Sequence, residues 1–149
     1  MIHFEGDRQV PLPVAAVFPK LSDASWLVAS IEDAKVSEAT PERAAFKLKP
    51  KLSFISGSLD AVMDVTARVL NQTTTFKVFT KAIGASSTVT AKLAFTESDT
   101  GGTAIHWVGE LVEVTGLLKM VPKGLLQGTA EKVIEDVWTA LIAKLTAAN

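Results

Sequence analysis

The chain has 149 residues, 48% of them apolar and 21% charged, with a formal net charge of −1 and no cysteine. That length suits one domain spanning 1–149, and the composition is that of a folded chain, not a disordered one. The small net charge excludes a global field that would draw in nucleic acid, and the lack of cysteine excludes disulfides, thiolate nucleophiles and cysteine-bound metals.

Mean hydropathy is +0.28, high for a small domain, so the chain either packs a large core or lines a cavity. Residues 1–10 carry Glu5, Asp7 and Arg8 and have no apolar centre. They do not read as a signal peptide, and no run of ~18 apolar residues reads as a membrane-spanning helix. A cytoplasmic location is the expectation.

The first element is a strand over Ile2–Val10, with Ile2, Phe4, Arg8 and Val10 on one face; Pro11 and Pro13 end it, since proline donates nothing to a ladder. From Pro13 to about Ser30 the spacing turns helical through Val14, Val17, Phe18 and Leu21. Ser22-Asp23 reads as a break and a new N-cap, opening a second short helix that carries Trp26, Leu27 and Ile31. Beyond Lys35 the period becomes two. Val36–Thr40, a Pro41-Glu42 turn and Ala44–Leu48 predict a hairpin.

A long strand follows over Ile55–Val69. Ile55, Gly57, Leu59, Ala61, Met63, Val65, Ala67 and Val69 are expected to face inward, with Asp60, Asp64, Thr66 and Arg68 facing out. After an Asn71-Gln72 turn, Phe76, Val78, Thr80 and Ala82 alternate with Lys77, Phe79 and Lys81; past Gly84, Val89, Ala91, Leu93 and Phe95 alternate with Thr88, Thr90, Lys92 and Thr96. Asp99-Thr100-Gly101-Gly102 is a turn, and the last strand, from about Thr103 to Val114, puts Ile105, Trp107, Gly109, Leu111 and Glu113 on one face.

Gly116 marks the exit from the sheet. Leu117–Ala147 reads as helix, interrupted near Pro122–Gly128 and strong after Thr129. Its broad apolar face is Ala130, Val133, Ile134, Val137, Trp138, Leu141, Ile142 and Leu145. The order predicts an α+β domain: a curved antiparallel sheet of about six to seven strands around a long C-terminal helix, with two short helices after the first strand.

Chemical motifs are few. His3 and His106 fall on the polar faces of their strands and have no metal-ligand spacing. No Gly-x-Ser-x-Gly elbow and no phosphate-binding glycine loop occurs. Neither a cofactor nor a metal is expected. Arg8 and Glu113 are the charges on otherwise apolar faces. A buried carboxylate at Glu113 would hold its proton more tightly and act as an acid, a base or a ligand anchor; alternatively both residues lie at strand ends, or a bulge turns them out. The small residues Gly57, Ala61, Ala67, Ala82, Ala91 and Gly109 share the apolar sheet face, and either admit the helix closely or leave space. Leu117–Leu126 mixes apolar residues with Lys119, Lys123, Pro122 and Gly124. It reads as a lid, a weak membrane-surface contact, or a kinked helix start.

The element order resembles the START-like superfamily, also called helix-grip or polyketide cyclase-like proteins, and within it the CoxG family, named for a component of carbon monoxide dehydrogenase. Val10, Pro13, Val17, Phe18, Leu21 and Asp23 are similar to that family's opening, Pro50 and Gly57 to its third-strand motif, and Gly102-Thr103 with Gly116 to its last strand and exit glycine. Ile31-Glu32-Asp33 stands where the family often has Ile-Pro-Gly, and Lys49 where it has a glycine. The resemblance implies a single START-like domain with a deep pocket between sheet and helix, of the kind that holds lipids, sterols, quinones, polyketides or plant hormones in the superfamily.

Three readings follow. The first is a module binding a hydrophobic small molecule or lipid through Leu59, Met63, Phe76, Val89, Leu93, Phe95, Ile105, Trp107, Glu113, Val137, Trp138 and Leu141. The second is a cyclase- or dehydratase-type enzyme using Glu113. The third, implied by the CoxG resemblance, is an assembly or maturation partner of a redox enzyme.

Overall fold

The computed structural model describes residues 2–31, 34–49 and 57–147. In chain order these form β1 (Ile2–Val10), α1 (Val14–Leu21), α2 (Ala24–Val28), β2 (Lys35–Ala39), β3 (Arg43–Leu48), β4 (Leu59–Val69), β5 (Thr73–Ala82), β6 (Ala85–Glu97), β7 (Thr103–Gly116), a 3-10 turn (Leu117–Met120) and α3 (Lys123–Ala147). One curved, fully antiparallel sheet has the order β1-β7-β6-β5-β4-β3-β2. From β2 to β7 each strand neighbours the next in sequence, and β1 pairs with β7 along its whole length. The expected residues Pro50 and Ile55 lie outside the described residues.

The short helices form as their sequence dictates. α1 buries Val14, Val17, Phe18 and Leu21, the predicted apolar stripe, and runs through Pro19 to end at Ser22. Asp23 caps α2 by accepting from the backbone N–H groups of Ser25 (2.9 Å) and Trp26 (3.3 Å), satisfying donors at the helix start that have no partner within it.

The register defines an inner face in rows. One runs Met63, Val78, Val89, Leu111, Ile2; the next runs Val65, Phe76, Ala91, Gly109, Phe4. Two bulges, in β4 and β7, interrupt the alternation expected of these long strands. Between Val65 and Ala67 the β4–β5 register shifts, so Ala67 pairs with Thr75 and Arg68 with Thr74. Arg68 thereby joins the inner row of Thr74, Leu93 and Trp107. Its guanidinium donates to the carbonyl oxygen of Ser22 at the α1–α2 junction and to that of Pro41 in the β2–β3 turn. Ala67 and Val69, expected inside, are exposed. A bulge adds one residue to one strand and reverses every side chain beyond it.

The second bulge lies in β7. Leu111 pairs with Val89 but Glu113 with Thr88, which leaves Val112 unpaired. Glu113 consequently joins the outer row of Thr88, Phe79 and Val62.

The expected interruption is confined to Val121–Pro122, between the 3-10 turn and α3; α3 itself runs on without a break over its 25 residues, through Gly124 and Gly128. Two glycines cost a long helix about 1 kcal/mol each, too little to split it. Only Trp138, Leu141 and Leu145 are buried on α3, while Val133 and Val137 are exposed. Ile134 and Ile142 pack, partly buried, against the same core, so of the eight-residue apolar face read from periodicity it is Val133 and Val137 that turn out exposed.

The solid core follows this asymmetry. Val10, Val17, Phe18, Leu21, Phe76, Leu93, Phe95 and Ile105 pack with Trp138, Leu141 and Leu145 in one cluster. Phe18 and Phe95 meet edge to face at 5.3 Å. A second, smaller cluster joins α2 to β3 and β4 through Ala24, Val28, Ala44, Phe46 and Ala61.

Candidate functional site

The inner sheet face continues beyond the solid core. Leu59, Met63, Val78, Val89 and Leu111 are only half buried there, although their register partners share the inward face. Thr80 and Ser87 add a hydroxyl pair hydrogen-bonded across β5 and β6. The N-terminal half of α3, which buries no side chain fully before Trp138, borders the Leu111 end of this row through Lys123 and Leu126. The result is an apolar trough with a small polar spot, beside a filled core.

Two clefts flank α3. One of about 330 Å³ lies between the end of β7, the 3-10 turn and the start of α3, where Leu111, Val114, Leu118, Val121 and Leu126 line it. The other, about 440 Å³, separates β1 from α3 and is bordered by Phe4, Arg8, Trp107, Ile134 and Glu135. Both are of a size that accommodates a small ligand. Arg8 extends from the inner face of β1 to an ion pair with Glu135 of α3, which ties the loosely seated half of the helix to the sheet.

Trp107 stands where core and trough meet. Its indole lies against Gly6, where an added Cβ would come within 2.9 Å of the ring. Its ring centroid is 6.5 Å from that of Trp138. Its Nε1–H is buried and has no hydrogen-bond partner among the described residues.

The sequence-predicted site residues therefore divide. Phe76, Leu93, Phe95, Ile105, Trp138 and Leu141 belong to the solid core. Leu59, Met63, Val89 and Trp107 are half buried and line the trough or its border. Val137 is 43% exposed, which corrects its expected inward position: one residue before Trp138, it points about 100° round the helix, at the edge of the stripe that Ile134, Trp138 and Leu141 pack on the core. Glu113 is corrected too. It touches the rim of the 330 Å³ cleft, but its side chain is exposed on the outer row. The burial that an acid–base role for Glu113 requires is missing. Val78 and Leu111 are trough residues that the predicted set omitted, and their parity with Phe76 and Trp107 was the available signal.

The outer face of β1 and β7 carries a different group. His106 Nδ1 lies 3.0 Å from Asp7 and its Nε2 3.2 Å from Glu5; His3 Nε2 lies 3.2 Å from Glu5 and its Nδ1 3.5 Å from Glu110. Both histidines are exposed, as their alternation predicts. Among the described residues no three such side chains are arranged to hold a metal ion. Hydrogen bonding to Asp7, aided by the charge of Glu5, raises the His106 pKa above 6.5. The folded protein thus holds this proton more tightly than the unfolded chain, and the stability it contributes is present below pH 6.5 and lost as pH rises through the folded value. An NMR titration is expected to place the His106 transition above its ordinary midpoint, and Asp7→Asn to bring it back down. An unchanged midpoint in Asp7→Asn would remove Asp7 as the cause.

The same architecture recurs in known proteins. A conserved protein from Geobacillus kaustophilus superposes with a TM-score of 0.85 at 18% identity, covering 99% of this chain and 97% of its own. Mll3558 from Rhizobium loti gives 0.66 at 17% identity, covering 95% and 96%. Ms6760 from Mycobacterium smegmatis gives 0.65 at 17%, covering 99% and 92%. At such identities these likenesses establish the fold alone. No curated protein matches the chain in sequence. The model of the carbon monoxide dehydrogenase subunit (CoxG) family matches residues 6–146. With that match over nearly the whole chain and a seven-stranded sheet closed on a long C-terminal helix, the chain belongs to the CoxG family and has its START-like, helix-grip fold.

Proposed function

We propose that the chain binds a hydrophobic small molecule or lipid-like ligand between the outer end of the sheet and the N-terminal half of α3. The observation that carries this reading is the half-buried apolar row that runs from Met63, at the edge of both core clusters, through Val78 and Val89 to Leu111, beside a half of α3 with no fully buried side chain. Close-packed interiors leave no such row uncovered. A ligand hiding about 300 Å² of apolar surface there gains roughly 7 kcal/mol before ordering costs. The Thr80–Ser87 hydroxyls, the Trp107 N–H, which has no partner among the described residues, and Arg8 supply polar atoms for a headgroup.

Native mass spectrometry of the purified protein, with extraction of the denatured sample, tests this. The expected result is an adduct above the chain mass that is released on denaturation. Val89→Trp, which fills the trough, is expected to weaken capture by at least about tenfold, or ~1.4 kcal/mol. A bare chain mass that stays unchanged after lipids and quinones are offered defeats the reading. That outcome would bring forward a second one, which the family's link to carbon monoxide dehydrogenase favours: a protein partner in assembling a redox enzyme.

A further inference from the structure

The turn between β5 and β6 and the 3-10 turn after β7 form one tip. The Leu117 N–H donates to the Gly84 carbonyl oxygen at 2.8 Å. Gly116, at φ +63°, passes so close that an added Cβ would lie 1.9 Å from that same oxygen. The contact brings together side chains that a water-facing surface does not need. Ile83 is 86% exposed, Met120 80% and Leu117 59%.

The charge around this tip is mainly positive. No Asp or Glu occurs in residues 65–96 or 114–130, whereas the chain as a whole has 16 acidic residues against 15 basic ones. Lys81, Lys119 and Lys123 flank the tip and are exposed. The nearest carboxylates by register are Asp60, which stands opposite Lys81 and forms its ion pair with Lys47, and Glu113, further down β7. Projecting apolar side chains ringed by lysines match the boundary of an anionic bilayer. There, apolar groups enter the acyl region and ammonium groups meet phosphates.

We propose that this tip docks reversibly on membranes containing anionic phospholipid. The same turn and helix start line the 330 Å³ cleft through Leu118, Val121 and Leu126, so a docked molecule would turn that cleft toward the bilayer. The proposal stands whether or not the trough holds a ligand.

Vesicle flotation with the intact chain tests it. Phosphatidylcholine vesicles with and without phosphatidylglycerol are compared at low and high salt. Binding is expected only with phosphatidylglycerol, and is expected to fade as salt shortens the screening length from ~10 Å at 0.1 M to ~3 Å at 1 M. Ile83→Asp with Met120→Asp should abolish it. Lys81→Gln, Lys119→Gln and Lys123→Gln together should weaken it roughly 100-fold, each basic side chain contributing about fivefold. Leu70→Asp, at an exposed apolar turn elsewhere, should leave it intact. All these positions are exposed, and thermal melts confirm that the variants fold. Failure to float with either vesicle, or binding that survives Ile83→Asp with Met120→Asp, overturns the proposal; in the first case the tip is free for a protein partner.

Discussion

Gly116→Ala is expected to destabilise the protein by at least about 3 kcal/mol, lowering Tm by roughly 6–12 °C for a domain of this size. Two costs add. The backbone at φ +63°, ψ −135° is one that residues with a Cβ avoid. The new methyl would also lie 1.9 Å from the Gly84 carbonyl oxygen, a backbone atom with no side-chain freedom to move aside. Gly128→Ala is the matched control. Gly128 lies within α3 and nothing stands within 4 Å of an added Cβ. There the same change should stabilise by about 0.5–1 kcal/mol, because alanine loses less backbone entropy in a helix. Thermal melts of the two variants should therefore move in opposite directions. If Gly116→Ala melts with the wild type, the close approach of the two turns does not exist in solution.

The second large effect separates the solid half of the interior from the open half. Phe95→Ala removes a side chain of the main core cluster that packs edge to face with Phe18, and should cost about 3–5 kcal/mol. Val89→Ala, in the half-buried row, should cost under about 1 kcal/mol in ligand-free protein, since it leaves little new cavity behind. Denaturant titrations with a shared slope give both values. Equal losses at the two sites would mean that the trough is packed as tightly as the core, and the ligand-binding reading would fall with it.

How far the sequence discloses this molecule depends on the kind of information each residue carries. Local chemistry is legible: Asp23 announces the cap it makes, and the Val14, Val17, Phe18, Leu21 spacing gives the buried stripe of α1. The strand parities of β5 and β6 also hold, placing Phe76, Leu93 and Phe95 inside. The bulges are not legible. Ala67 and Val69 look inward-facing by composition, and only pairing with β5 reveals that Thr66 shifts the register and sends Arg68 inward. Glu113 is the same case on β7. The helix face shows a further limit, because periodicity gives a broad apolar stripe that includes Val137 but not which edge of that stripe the sheet covers. Burial at Trp138 and exposure one residue earlier depend on where the helix seats, which is settled by contacts distant in the chain. For the same reason the small residues of the inner face are compatible, as sequence, with a filled interior and with a hollow one.

One consequence concerns the strand at the far edge. β2 is short and exposed throughout, and its pairing with β3 is broken by a register shift between Val36 and Glu38. An uncovered edge offers free backbone donors and acceptors on which another chain can build. The shift interrupts the straight row of groups that such growth requires, and Lys35 and Glu38 place charges along it. The sheet can thereby keep a margin that is bare among the described residues without recruiting copies of itself into a fibril.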